Sequence, residues 1–237
     1  MGLSPPSGGG GGGNSYTPAT AGDWKPTPST YDSALDQLAN KAILPGGRDI
    51  YSIPVLSNFA WLNQLTATIS MYKNRAASIV TPGYGSENWQ LQLFNLVTPF
   101  TAFTVTVALT NQYLLSGLGV AGIVARNSGT GRFVSLYLGE ISAALVIKAG
   151  KHPSPTAYDG DLIGQTNYYL SQIVWLRISF NGTDTITFSY SLDGIGFCVC
   201  TTTPLSDYVV AIDQVGWGCN YYAGGVCNCW SWEVTQP

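Results

Sequence analysis

From Tyr51 onward the apolar residues recur at every second position. The pattern runs through Trp89–Leu96 (WQLQLFNL), Phe103–Thr110 (FTVTVALT), Gly122–Asn127, Arg132–Gly139 (RFVSLYLG) and Ala144–Gly150 (ALVIKAG). It continues through Val174–Gly182 (VWLRISFNG), Thr185–Gly194 (TITFSYSLDG), Phe197–Cys200, Tyr208–Gly218 and Cys229–Val234. A period of two is the strand period, because successive side chains on extended backbone point to opposite faces. Between the runs lie Asn127-Ser128-Gly129, Asn181-Gly182 and Asp193-Gly194. Asn-Gly and Asp-Gly beside alternating runs are hairpin signals, since these residues tolerate the positive φ that tight turns require. Many short strands separated by such turns predict an all-β chain, an antiparallel jelly-roll β-sandwich, over residues 48–237. Trp61–Ala77 fits either a helix or a pair of strands, and we read it as strand and loop.

Two different segments precede this pattern. Residues 1–28 are Gly, Pro, Ser and Thr with few apolar side chains, including Gly8, Gly9, Gly10, Gly11, Gly12 and Gly13 in a row. Such a stretch cannot bury enough surface to fold alone. Ordering it costs about 1–2 kcal/mol of backbone entropy per residue, so a holding surface outside this domain is expected. Without Cβ atoms the glycines could pass through a narrow groove. This segment, with Trp24 near its end, is therefore read as a docking arm. Residues 29–47 carry Tyr31, Ala34, Leu35, Leu38 and Ala42 on one helical stripe, stopped by Pro45-Gly46-Gly47. A helix of about three turns is marginal by itself. Its stripe predicts an oligomerisation element, packed on the β domain or on copies of itself.

Charged residues make up only 10% of the 237, against about 25% in ordinary soluble domains. Net charge is −3 and the ten Lys and Arg are scattered. A nucleic-acid groove needs clustered basic residues, so that class is disfavoured. No apolar run reaches the ~18 residues of a membrane-spanning helix, so membrane insertion is not expected. A charged start followed by an apolar core is also missing, so no secretory signal is read.

Cys198, Cys200, Cys219, Cys227 and Cys229 all lie near the C-terminus. The two C-x-C pairs would each share a strand face, and neighbouring strands would bring four sulfurs together. Buried reduced thiols are the favoured reading, with disulfides or a metal as alternatives.

Thr98–Leu109, GIVARNSGTGRFVSLYL, WLRISFNGTDTITFSYSLDGIGF, VGWG and the closing WSWEV, taken in that order, resemble the concanavalin-like (laminin-G-like) jelly-roll superfamily over residues 85–237. That resemblance implies a two-sheet sandwich, a fold that hosts lectins, glycosidases, adhesion modules and virion proteins. The segment WKPTPSTYDSALDQLA resembles a short element of bacteriophage tail and head appendage proteins, which implies a trimer and attachment through residues 1–28 to other virion proteins.

The carboxylates give no catalytic pair by spacing. Glu87, Glu140 and Glu233 each lack a carboxylate two residues away, whereas retaining glycosidases hold theirs ~5–5.5 Å apart. Asp159 and Asp161 flank Gly160 and read as turn residues before a calcium or catalytic loop. The single histidine, His152, is expected on a surface loop. Sugar binding has two candidate patches: Trp217, Asn220, Tyr221 and Tyr222 in one Gly-rich stretch, and Tyr168 with Tyr169 in another. Trp217 also reads as sandwich core, as do Trp230 and Trp232. The leading expectation is thus a non-enzymatic phage virion protein, assembled in the host cytoplasm, with no cofactor or metal and with host-surface polysaccharide as a possible ligand. A free-standing carbohydrate-binding module is the alternative, and a glycoside hydrolase the less favoured one.

Overall fold

The structure is a computed structural model that describes residues 52–237 apart from 73–74, 114–118, 142–143, 164–165, 168–172, 206–207 and 210. The docking arm, the helix of residues 29–47 and the Tyr168–Tyr169 patch lie outside the described residues.

The strands in chain order are β1 (Ala60–Leu62), β2 (Thr68–Tyr72), β3 (Ala76–Thr81), β4 (Gln90–Asn95), β5 (Phe103–Tyr113), β6 (Gly119–Arg126), β7 (Phe133–Ile141) and β8 (Ala144–His152). Then come β9 (Gly160–Asp161), β10 (Thr166–Asn167), β11 (Val174–Phe180), β12 (Thr185–Ser191), β13 (Cys198–Pro204), β14 (Gln214–Tyr221) and β15 (Gly225–Thr235). They form two antiparallel sheets, β1-β4-β14-β6-β7-β8-β10 with β9 beside β8, and β13-β12-β11-β5-β15-β3-β2. Among the described residues the helical structure is one 3₁₀ turn, Leu56–Asn58. The chain is therefore an antiparallel β-sandwich.

The alternation decides which side chains meet between the sheets. Val105, Val107 and Leu109 of β5 and Leu176 and Ile178 of β11 face Ile123, Leu136, Ile147 and Trp217 of the other sheet in one buried core. Burying each such aliphatic side chain contributes about 1.5–3 kcal/mol. The hairpin signals are realised: Gly182 and Gly194 take φ of 83° and 74° in the β11–β12 and β12–β13 turns. Trp61–Ala77 forms β1, β2 and the start of β3.

The structure corrects several expectations. The run from Tyr208 becomes a strand only at Gln214, because Ala211 adopts a φ of 63° and Tyr208 N–H donates to Leu205 C=O in a turn. The two C-x-C pairs are not neighbours, since β12, β11 and β5 stand between β13 and β15. All five cysteines are free thiols; Cys219, Cys227 and Cys229 are buried and Cys198 is exposed. Finally, Trp232 joins the sandwich core but Trp230 does not. The register of β15 on β5 shifts between Cys229 and Ser231. This bulge resets the alternation: Cys229 and Trp232 belong to the inter-sheet core, while the Trp230 indole N–H donates to Thr110 Oγ1 at 3.1 Å.

Candidate functional site

The larger sheet carries a second apolar cluster on its outer face. It comprises Trp89, Leu91, Leu93, Val120, Val124, Phe133 and Tyr137. At one end of this face a cavity of about 160 Å³ is lined by Glu87, Trp89, Val120, Tyr137, Lys148, His152, Tyr158 and Asn220. Strand alternation builds it. Lys148, Gly150 and His152 are two apart on β8, Tyr137 lies on β7, Val120 on β6 and Asn220 on β14. Glu87 and Trp89 come from the segment entering β4, and Tyr158 from the loop after β8.

Gly150 shapes the cavity. A Cβ there would stand 2.9 Å from Tyr158 Cε2 and 3.5 Å from Tyr137 Cε1, so its absence lets the two rings lie over the strand. Aromatic packing fixes the rest. His152 stacks on Phe133 with centroids 4.5 Å apart and planes at 8°, and meets Trp89 and Tyr158 edge-on at 5.5 and 5.4 Å.

The polar groups converge from different strands. The Trp89 indole N–H donates to Glu87 Oε1 at 3.0 Å, which holds the carboxylate. Asn220 Oδ1 accepts from the Asn88 backbone N–H at 3.0 Å, and Trp89 N–H donates to Pro155 C=O at 2.9 Å, anchoring the same segment. Lys148 Nζ pairs with Asp161 Oδ2 at 2.7 Å. Burial, with the negative charges of Asp161 and Glu87, pushes the Tyr137 phenol well above the ordinary tyrosine range. It therefore stays protonated and keeps a hydroxyl donor beside the cavity. His152 is buried, and its Nε2 shares a 2.8 Å hydrogen bond with Ser135 Oγ.

The sequence candidates divide on this geometry. Asn220 lines the cavity. Trp217 and Tyr221 alternate with it on β14 and face the inter-sheet core with no exposed surface. Tyr222, beyond the strand end, is exposed and outside the cavity lining. His152 is not a surface-loop residue; it closes β8 inside an aromatic cluster. Sequence reading passed over Glu87, Trp89, Tyr137 and Lys148 as site residues. The available signal was the alternation in IKAGKH, which sets Lys148, Gly150 and His152 on one face. The pairing of Asp161 with Lys148 also gives that residue a role beyond turn chemistry. Among the described residues no group of three or more His, Cys, Asp or Glu is placed to hold a metal ion. Likewise, no described helix is long and apolar enough to cross a membrane.

No protein-family model and no curated protein sequence matches the chain. Solved structures do. A functionally unknown protein from Saccharomyces cerevisiae superposes with a TM-score of 0.55 at 16% identity, covering 78% of this chain and 99% of that one. A xylan β-1,4-xylosidase from Bacillus halodurans C-125 gives a TM-score of 0.60 at 14% identity over 80% of this chain and 38% of the enzyme. The exoplasmic/lumenal domain of VIP36, in a form bound to Ca²⁺ and Man2, gives 0.51 at 12% identity over 76% and 81%. This chain thus spans about two fifths of the xylosidase it matches. The expectation that the protein is not an enzyme, drawn from the missing carboxylate pairs, does not stand, because the matched solved structures include glycoside hydrolases that contain this fold. The virion, fibre and trimer expectations rest on residues 1–47 and gain no support from fold or comparison. At these identities the likeness establishes the fold alone, a two-sheet antiparallel β-sandwich of the kind these structures contain.

Proposed function

We propose that this β-sandwich binds a saccharide in the cavity between β4, β8 and β14. The observation carrying this reading is one cavity in which aromatic rings (Trp89, Tyr137, Tyr158) meet Glu87, Lys148 and Asn220. A sugar presents apolar C–H faces and a rim of hydroxyls, and such a ligand needs apolar walls with a few placed polar groups. The low charge of the chain suits a neutral polar ligand. Likeness to a domain solved with Man2 and to a xylosidase supports the reading.

The test is calorimetric titration of the full chain with xylobiose, xylotetraose and mannobiose. Tyr158→Ala removes a half-exposed ring from the cavity and is expected to weaken binding about tenfold or more, while Tyr222→Ala leaves it unchanged. Loss with Tyr222→Ala and none with Tyr158→Ala would move the site to the Gly-rich stretch after β14.

One observation favours a second reading, glycoside hydrolysis. Glu87 lines the cavity and Asp161, 74 residues away in the chain, pairs at 2.7 Å with Lys148 of the same cavity, so the fold brings to one site carboxylates that spacing did not pair. Assaying the same mixtures for released reducing ends decides it: sugar release lost on Glu87→Gln supports hydrolysis, and binding without release supports binding alone.

A further inference from the structure

His152 holds an unmet demand. Its side chain is 1% exposed, and while Nε2 is bonded to Ser135 Oγ, the buried Nδ1 has no hydrogen-bond partner. Glu87 Oε1 lies 3.4 Å from Nδ1, but the two do not form an aligned hydrogen bond. Unpartnered buried ring nitrogens are costly and uncommon, and His152 is one of the residues that line the cavity. At a separation of 3.4 Å, one oxygen atom can lie at ordinary hydrogen-bond length from both Nδ1 and the carboxylate.

The chemistry narrows what that oxygen can be. Ser135 can donate to Nε2 or accept from it, so Nδ1 presents a proton in one tautomer and a lone pair in the other. A hydroxyl both donates and accepts. In the tautomer with Nδ1–H it can give its proton to Glu87 and accept from Nδ1–H, which satisfies both groups at once. A carboxylate can only accept, and here it would face Glu87. The lysine of the cavity offers such an anion little compensation, since Lys148 is held by Asp161 at 2.7 Å. An anionic ligand would therefore bring a second negative charge into a half-buried site without a free counter-charge.

We propose that the cavity selects neutral saccharides over acidic ones, with one ligand hydroxyl bridging His152 Nδ1 and the Glu87 carboxylate. This rests on the saccharide reading above and goes beyond it by naming the ligand's charge class and the pair that enforces it. Tyr137, held in its protonated form, adds a second neutral hydroxyl to the wall.

The test compares xylotetraose and mannobiose with tetragalacturonate, titrated into the full chain and into Glu87→Gln, with folding checked by thermal melts. In the unsubstituted protein the neutral sugars are expected to bind at least about tenfold more tightly than tetragalacturonate. Glu87→Gln preserves the side-chain volume and an oxygen for the Trp89 N–H. It is expected to weaken the neutral sugars about tenfold and to bring tetragalacturonate within a few-fold of them. A second variant, His152→Gln, whose longer amide reaches the position of Nε2 and so retains a partner for Ser135, is expected to weaken the neutral sugars while leaving the charge preference in place. Equal or tighter binding of tetragalacturonate by the unsubstituted protein would overturn the selectivity. Unchanged neutral binding in Glu87→Gln, with loss in Tyr158→Ala, would overturn the bridge while the saccharide reading stood. Binding of none of these sugars would overturn the saccharide reading itself.

Discussion

Trp217 and Asn220 show how neighbouring positions on one strand part ways. Trp217 has no exposed surface and packs between the sheets, whereas Asn220 is at the cavity on the other side of β14. Trp217→Ala is therefore expected to cost about 3–5 kcal/mol of stability, the cost of a large core truncation, rather than a binding contact. Urea unfolding with an unchanged midpoint would show that Trp217 is not core. The same parity explains why residue type alone grouped Trp217 and Tyr221 with Asn220. Trp, Asn and Tyr in a Gly-rich stretch match the composition of a sugar site, but odd positions of β14 point inward and even ones outward. Sequence does show that alternation; it does not show which of the two faces lies against the second sheet.

Among the elements, β15 carries one extra residue relative to its partner β5. Its pairing with β5 shifts register between Cys229 and Ser231, so Trp230 is the extra residue that returns Trp232 to the core. Trp230 itself is partly exposed, bonded to Thr110 and edge-on to Tyr72 at 6.4 Å. Deleting Trp230 is expected to close the bulge and leave Ser231, Trp232 and Val234 opposite their present partners on β5, because Cys229, Ser231 and Trp232 then alternate regularly; the deletion and Trp230→Ala are each expected to keep Trp232 in the core and to cost about 1 kcal/mol. Circular dichroism and urea melts on the two variants check this; loss of cooperative folding on deletion alone would show that the bulge itself is required. Nothing in CWSWEV announces the bulge, because bulges answer to the partner strand and the twist of the sheet. The β11–β12 hairpin was legible for the opposite reason. Asn181 Oδ1 accepts from the N–H groups of Thr183, Asp184 and Thr185, and Gly182 supplies the positive φ, so the turn is written locally.

Across the molecule the thiols report how the two sheets close on each other. Cys219 on β14 and Cys227 and Cys229 on β15 are fully buried, and desolvation holds each thiol well above its ordinary range. Cys200 is raised to about 11, first by burial and then by Cys198. The sign follows directly. Unfolded thiols lose their protons near pH 8.5, while the folded ones keep them. Stability is thus independent of these groups below about pH 8 and falls as pH rises beyond, by up to ~1.4 kcal/mol per pH unit for each buried thiol. Urea midpoints between pH 7 and 10.5 are expected to fall accordingly; a flat profile would mean that the thiols titrate in the folded state. Dithionitrobenzoate at pH 8 is expected to label Cys198 first, with Cys219, Cys227 and Cys229 reacting only after unfolding.

The sequence by itself determined that residues from Tyr51 onward form short antiparallel strands and where the main hairpins turn. These are local properties: side-chain parity, the φ freedom of glycine and the desolvation of apolar residues act within a few positions of the chain. Tertiary structure alone decided which face of each strand is core, where the bulge of β15 falls, and that Glu87, Lys148 and His152 share a cavity with Tyr137 and Asn220. Those residues are up to 133 positions apart. They meet because the strand order β4-β14-β6-β7-β8 brings sequence-distant segments side by side on one face, and strand order is set by how the two sheets bury their combined apolar surface, which no single run of the sequence contains.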